Sequence, residues 1–225
     1  MNNSTVKMSI REIKGSLSRY LAIFAIIALG AGLFIGLRMS RPDFLESFSN
    51  YAAEYNFFDI RLVSTLGLTE DDLTEVKKLE GVIDAEGIIS SDFLYNTQED
   101  DNLIMVVQSI PERINLVNLK CGRMPEKGNE CLGDPEIYSE DDIGTSIRLS
   151  DDNSEQTFDS FAYDEYTIVG LADSVLYINY ERGSSTLGNG SVEGYIYIPM
   201  EGFSLDCFTD IYIDVDADGK LYSEE

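Results

Sequence analysis

The sequence predicts an α+β protein with one N-terminal transmembrane helix that continues into a stalk. An extracytoplasmic α+β domain with a smaller β-rich subdomain follows. Three observations carry this reading. Eighteen consecutive residues, Tyr20 to Leu37, carry no charge. The charge reverses on either side of them, with a net of +5 over residues 1–41 and −30 over residues 42–225. The spacing of apolar residues then switches from helical to alternating near Phe57.

The uncharged run makes a helix of roughly 27 Å, which matches the hydrocarbon thickness of a bilayer. Lys7, Arg11, Lys14 and Arg19 precede it, with Glu12 the only acid among them. This basic flank places the N-terminus in the cytoplasm and the acidic remainder outside the cell membrane. A cleaved signal peptide also starts basic and apolar. Its core, however, is shorter than this run, and Arg38-Met39-Ser40-Arg41-Pro42 follows Leu37 where a small-x-small cleavage site would stand. A buried core helix of eighteen residues that is apolar on all faces is equally out of pattern.

Each segment has its own signature. In the leader, residues 1–19, Val6, Ile10, Ile13 and Leu17 recur at helical spacing opposite Lys7, Arg11, Lys14 and Ser18. That is a basic amphipathic helix suited to the inner membrane interface. Within the span, residues 20–41, Ala28, Gly32 and Gly36 fall four apart, and small residues at that spacing let a second helix approach closely. From Pro42 to residue 56 the helical period persists as a stalk, with Phe44, Phe48, Tyr51 and Tyr55 on its aromatic stripe.

At Phe58-Asp59-Ile60-Arg61-Leu62 the alternation predicts a half-buried strand with Phe58, Ile60 and Leu62 inward. A helix follows, with Thr69 as N-cap, Leu68 stapled onto Leu73, and Leu73, Val76 and Leu79 as its apolar face. Gly81 stops it. Strands are expected at Val82–Ser90 and Leu103–Gln108, which completes an α+β unit. The stretch Asn118–Pro135, rich in Gly, Pro and charge, reads as turns. Short strands resume at Ser146–Leu149, Tyr166–Gly170, Gly194–Ile198 and Thr209–Val215, separated by acidic or Gly/Ser-rich gaps.

The composition excludes much chemistry. There is no histidine, so serine–histidine and cysteine–histidine nucleophile systems are absent. A zinc site has neither histidine nor a CxxC pair to build on. So acidic a domain repels nucleic acid. Gly183–Ser191 lacks the lysine of a phosphate-binding loop. No catalytic residue and no cofactor is expected, and the chain reads as a non-enzyme. Cys121, Cys131 and Cys207 are too few for a disulfide framework; Cys121–Cys131 closes the shortest loop, and free thiols are the better reading.

One metal motif is complete on paper. Asp214, Asp216, Asp218, Gly219 and Glu225 fit D-x-D-x-D-G-x5-E, the calcium-loop pattern. Its helical context is missing, because a β-like run enters it and no helix follows. A strand ending in an Asp/Gly turn is the preferred reading.

The order of the pieces resembles the N-terminal part of FtsX-like (MacB-like) ABC transporter permeases. The residues carrying it are Ile10-Arg11-Glu12-Ile13, Ser18-Arg19-Tyr20, Ala28-Leu29-Gly30, Phe58-Asp59-Ile60-Arg61 and Leu79-Glu80-Gly81-Val82. Gly122-Arg123-Met124-Pro125, Asn129-Glu130, Tyr166-Thr167-Ile168-Val169-Gly170 and Gly194–Ile198 continue it. The resemblance implies a porter-like subdomain from residues 57–117 and 194–225 and a smaller subdomain from 118–193. It further implies that the chain passes ATP-driven motion across the membrane, with further permease spans or a second permease subunit and a separate cytoplasmic ATPase as partners. The alternative is a free-standing, membrane-anchored module that binds a ligand, or calcium, outside the cell.

Overall fold

The computed structural model of the chain describes residues 16–96, 102–178 and 182–216. The chain forms two compact units, Met1–Asn50 and Tyr51–Glu225.

One continuous helix, α1, runs from Leu17 to Glu54 and passes through Pro42 without a break. It is long and apolar enough to cross a membrane. Every side chain from Tyr20 to Leu37 is exposed, so this surface is apolar on all sides, as a segment solvated by lipid is.

The second unit holds two sheets. The smaller has the order β1–β10–β2, all antiparallel, from β1 (Ile60–Leu68), β2 (Val82–Ile88) and β10 (Phe208–Val215). Between β1 and β2 lies α2 (Glu70–Val76). Thr69 caps it by accepting the Asp72 N–H at 3.2 Å, while the Asp72 carboxylate accepts the Thr69 N–H at 2.8 Å. Leu73 packs on Ala85, Ile211 and Ile213, with Leu68 beside it as expected.

The larger sheet runs β3 (Ser90–Asn96), β4 (Asn102–Ser109), β9 (Val192–Ile198), β6 (Glu130–Gly133), β8 (Glu165–Asp173) and β5 (Asn118–Gly122). A short strand β7 (Ser146–Arg148) also pairs with β8. The β4–β9 and β6–β8 pairs are parallel and the others antiparallel. Both faces are covered: Ile196 and Ile198 of β9 join Phe93, Met105 and Cys131 on one side, while Tyr195 and Tyr197 join Ile104 and Leu132 on the other. A short helix α3 (Glu155–Asp159), capped by Ser154, sits in the acidic gap before β8.

Several expectations give way here. Residues 118–135 are only in part turns: they also supply β5 and β6, and Cys131 and Leu132 are fully buried. Gly, Pro and charge flank these strands closely enough to mask them. Val82–Ser90 is two strands, because the chain leaves the small sheet and enters the large one at buried Ile89. β3, β4 and β9 pair into the same sheet as β5–β8.

A strand forms where the alternation predicts one, yet its burial does not alternate: Ile60, Arg61, Leu62 and Val63 are all exposed. Ile60 is 50% and Leu62 39% exposed, because the seven-residue α2 covers β10 and β2 but leaves the edge strand open. Arg61 turns instead to the other face and pairs with buried Asp210 at 2.6 Å. The helical stripe on α2 is likewise shorter than its sequence period, since Leu79 lies in the turn beyond Val76 and is exposed. All three cysteines are free thiols. Cys121 and Cys131 cannot pair, because β8 lies between their strands and neighbouring strands are about 4.8 Å apart.

Candidate functional site

The site with the densest specific bonding is the joint where α1 ends. Asn56 adopts φ +50°, a left-handed conformation that asparagine tolerates better than other side chains with a Cβ. The Phe57 N–H donates to Ala52 O at 2.8 Å and the Asn56 N–H to Ala53 O at 3.4 Å. These are the two bonds of a Schellman stop, with Asn56 in the place glycine usually takes.

The remaining helix-end groups are claimed by a distant segment. Tyr55 O accepts the Leu116 N–H at 2.9 Å, and Asn56 O accepts the Asn115 N–H at 2.8 Å. The Asn56 side-chain amide donates to Arg113 O at 2.8 Å. In return, Asn115 Oδ1 accepts the Phe58 N–H at 3.0 Å. Asn115 itself has φ +60°, and these two asparagines are the non-glycine residues with positive φ among the described residues. Asn115 is fully buried, and its Nδ2 has no partner among them. Its conformation costs on the order of 1–2 kcal/mol, so the surrounding bonds must hold it in place.

Those bonds come from Glu86 of β2. Its buried carboxylate accepts three successive backbone N–H groups: Glu112 at 2.7 Å, Arg113 at 3.0 Å and Ile114 at 2.8 Å. Arg113 reaches back to Ala85 O at 3.1 Å and to Asp84 at 2.8 Å. The clamped segment follows β4 and leads to β5. One loop therefore joins the helix end, the small sheet and the large sheet. Phe58 adds an apolar tie by stacking on Tyr212 of β10, with ring centroids 5.1 Å apart.

Beside the joint, Tyr51 and Tyr55 pair at 4.8 Å between centroids. Burial, and then the charge of Asp173, raises the Tyr51 hydroxyl above its ordinary pKa. Asp173 is paired with Lys120 at 2.6 Å. A cavity of about 410 Å³ opens here between Tyr51, Asp173 and the stacked rings of Tyr177 and Tyr195. On its floor Arg182 grips the buried Asp134 carboxylate through two bonds of 2.8 and 3.1 Å. Burial nevertheless raises the Asp134 carboxyl above its ordinary value.

The residues expected from sequence scatter around this joint. Tyr51 and Tyr55 belong to it. Phe44 is exposed and Phe48 partly buried on α1. Ala28, Gly32 and Gly36 are exposed on the same helix, and a Cβ added at Gly32 or Gly36 would meet nothing within 4 Å. Arg19 lies in the first turns of α1, whereas Lys7, Arg11 and Lys14 lie outside the described residues. Asp214 sits inside β10 rather than at the head of a loop, and burial and then Asp59 raise its carboxyl above the ordinary value. Asp218 and Glu225 lie outside the described residues; among those described, no group of three or more acids, cysteines or histidines could hold a metal ion.

Sequence reading missed Glu86, Asn56 and Asn115. Asn56 had a signal, an asparagine just past a helix. Glu86 and Asn115 had none: Glu86 shares its strand with a second acid, Asp84, and nothing in the sequence sets it apart.

No protein-family model matches the chain, and neither does any curated protein sequence. Solved structures are similar to it, among them the following three. The extracellular domain of the noncanonic ABC-type transporter YknZ from Gram-positive bacteria is 11% identical, with a TM-score of 0.42 over 72% of this chain and 82% of that one. The periplasmic region of MacB from Actinobacillus actinomycetemcomitans is 10% identical, with a TM-score of 0.36 over 70% of this chain and 68% of that one. A domain of a putative permease protein from Porphyromonas gingivalis is 14% identical, with a TM-score of 0.38 over 70% of this chain and 64% of that one.

Proposed function

We propose that this chain is the first membrane span and the extracytoplasmic domain of an ABC transporter permease. In this reading α1 carries motion, driven by ATP hydrolysis on a separate cytoplasmic subunit, to the two sheets outside. The observation that carries it is the unbroken path from Leu17 to Glu54 into the Asn56–Asn115 clasp. The last carbonyls of any helix need partners, and here a distant segment of the domain, rather than water alone, supplies them. A joint that passes on displacement needs them, because a loose connection would absorb the motion.

The basic flank orients the N-terminus to the cytoplasm. The small-residue face Ala28–Gly32–Gly36 is free for another permease helix, since no side chain fills the space over its glycines. The domain acts here as a lever and a docking body, without catalysis.

The test is the DNA on both sides of this reading frame, combined with impermeant thiol labelling of cysteines placed at Ser4 and Ser204 in whole cells. The expected result is further hydrophobic spans in the same frame or a neighbouring one, an adjacent Walker-motif ATPase gene, and labelling at residue 204 only. A stop with no ATPase neighbour, or labelling at residue 4 only, overturns the proposal.

A further inference from the structure

A groove of about 700 Å³ in the second unit lies between the two sheets. Leu73 of α2 and Phe208 of β10 form one wall, and Pro125, Pro199 and Met200, from loops of the large sheet, form the other. Met200 is 42% exposed, a large apolar side chain presented to the opening.

The charge at its rim is one-sided. Two cations line the groove, Lys77 and Arg113, and both are engaged by Asp84, at 3.9 and 2.8 Å. Glu70, Glu112, Glu126 and Glu201 line it as well, all exposed, and none has an ion pair among the described residues. Four uncompensated carboxylates around an apolar trough complement a ligand that is basic and carries apolar side chains.

We propose that this groove binds a basic polypeptide segment with interspersed apolar side chains. The apolar groups lie against Met200, Pro125 and Leu73, and the ammonium or guanidinium groups meet the glutamates of the rim. The groove also reaches the joint. Glu86 and Glu112 line it, and the Glu86 carboxylate holds the Glu112 N–H that begins the clamped loop. An occupant therefore presses on the segment that holds Asn56. The site rests on the groove alone, while its coupling to α1 rests on the transmission reading above.

The experiment uses the full chain in phosphatidylcholine nanodiscs, with a fluorescein-labelled octapeptide of alternating lysine and leucine as the probe. A glutamate–leucine octapeptide is the control. Anisotropy is expected to show saturable binding of the basic peptide only. The double variant Glu112→Lys/Glu201→Lys weakens it by about tenfold or more, whereas Asp141→Lys/Asp159→Lys, with the same change in net charge away from the groove, leaves it within about twofold. Equal losses in both variants, or binding of the acidic peptide, would overturn the site. Hydrogen exchange read on the same samples separates the two readings. Slower exchange of the Ile114 and Asn115 amides with peptide bound supports the coupling. Groove-specific binding that leaves those amides unchanged upholds the site and refutes transmission through the clasp.

Discussion

Glu86→Gln is the sharpest single test of the joint. The substitution keeps the side chain's shape and removes its charge. In the native protein Oε2 serves Arg113 and Ile114 while Oε1 serves Glu112. A glutamine can aim its one oxygen at the first pair, but its amide nitrogen then faces the Glu112 N–H, donor against donor. One hydrogen bond to a charged acceptor is lost outright, at about 1.5–3 kcal/mol, and the other two become neutral and weaker. The domain's net charge offers no rescue of that size, because removing one of many exposed-field repulsions acts weakly through water. The expected loss is about 2–3 kcal/mol in the local opening of residues 112–116, equivalent to exchange of those amides roughly 30- to 150-fold faster. Hydrogen exchange with mass-spectrometric or NMR readout would measure it, with the amides of Ile168 and Ile196 in the large sheet as internal controls. Asn115 and Leu116 should follow their neighbours, since their bonds to Asn56 O and Tyr55 O hang on the same loop. A change of less than about threefold would mean that the carboxylate does not hold the loop, and the joint as described here would fail.

Asn56→Ala should destabilise the helix end by about 1–2 kcal/mol more than Asn56→Gly, because both lose the bond to Arg113 O but only alanine resists φ +50°; equal effects in a denaturant series would refute the strain. Glu130 is held at a pKa of about 2, first by its hydrogen bonds from Arg123 and then by the Glu126 N–H. A carboxyl lowered on folding contributes stability that is present above its unfolded value of 4.5 and lost as pH falls through about 2. Stability measured from pH 4.5 to 2 should therefore decline less steeply in Glu130→Gln than in the parent. Gly170→Ala should loosen β5 from β8, because its Cβ would sit 2.6 Å from Arg123 O and 2.9 Å from Cys121 O, both backbone atoms, at a cost of about 1–3 kcal/mol. Thiol labelling of half-buried Cys121 should then accelerate while buried Cys131 stays inert, and an unchanged Cys121 rate would contradict the close approach.

The elements that were legible in the sequence are those specified by neighbours along the chain. The span needs only its own eighteen residues, and α2 carries its cap at Thr69 and Asp72 within one short segment, although it ends at Val76, before the stop expected at Gly81. β10 shows its alternation directly, with Ile211 and Ile213 between Asp210, Tyr212 and Asp214. What escaped depends on partners far away. β6 is four residues long and buried on both faces, so it has no alternation to display and is bounded by Gly128 and Gly133. The exposure of Ile60 and Leu62 depends on how little of the sheet α2 covers, which the β1 sequence does not record. Arg61, which alternation placed on the wet face, stays exposed but pairs there with the buried carboxylate of Asp210, 149 positions away.

The joint escaped for the same reason, in its strongest form. Its acceptor is Glu86, its donors are residues 112–114, and its client is the end of a helix at residues 55–58. None of the three segments is unusual alone: a glutamate in a strand, a loop after a strand and an asparagine after a helix are all commonplace. Their meaning lies in the burial of the carboxylate, because a buried charge persists only where hydrogen bonds repay its desolvation. Backbone N–H groups are partners that no substitution short of proline can remove. The clamp is therefore insensitive to side-chain identity at Glu112, Arg113 and Ile114, and strictly dependent on the acid at 86. Mutations at Glu86 and Glu112 should therefore separate: the first disturbs the loop, the second changes only a charge at the groove.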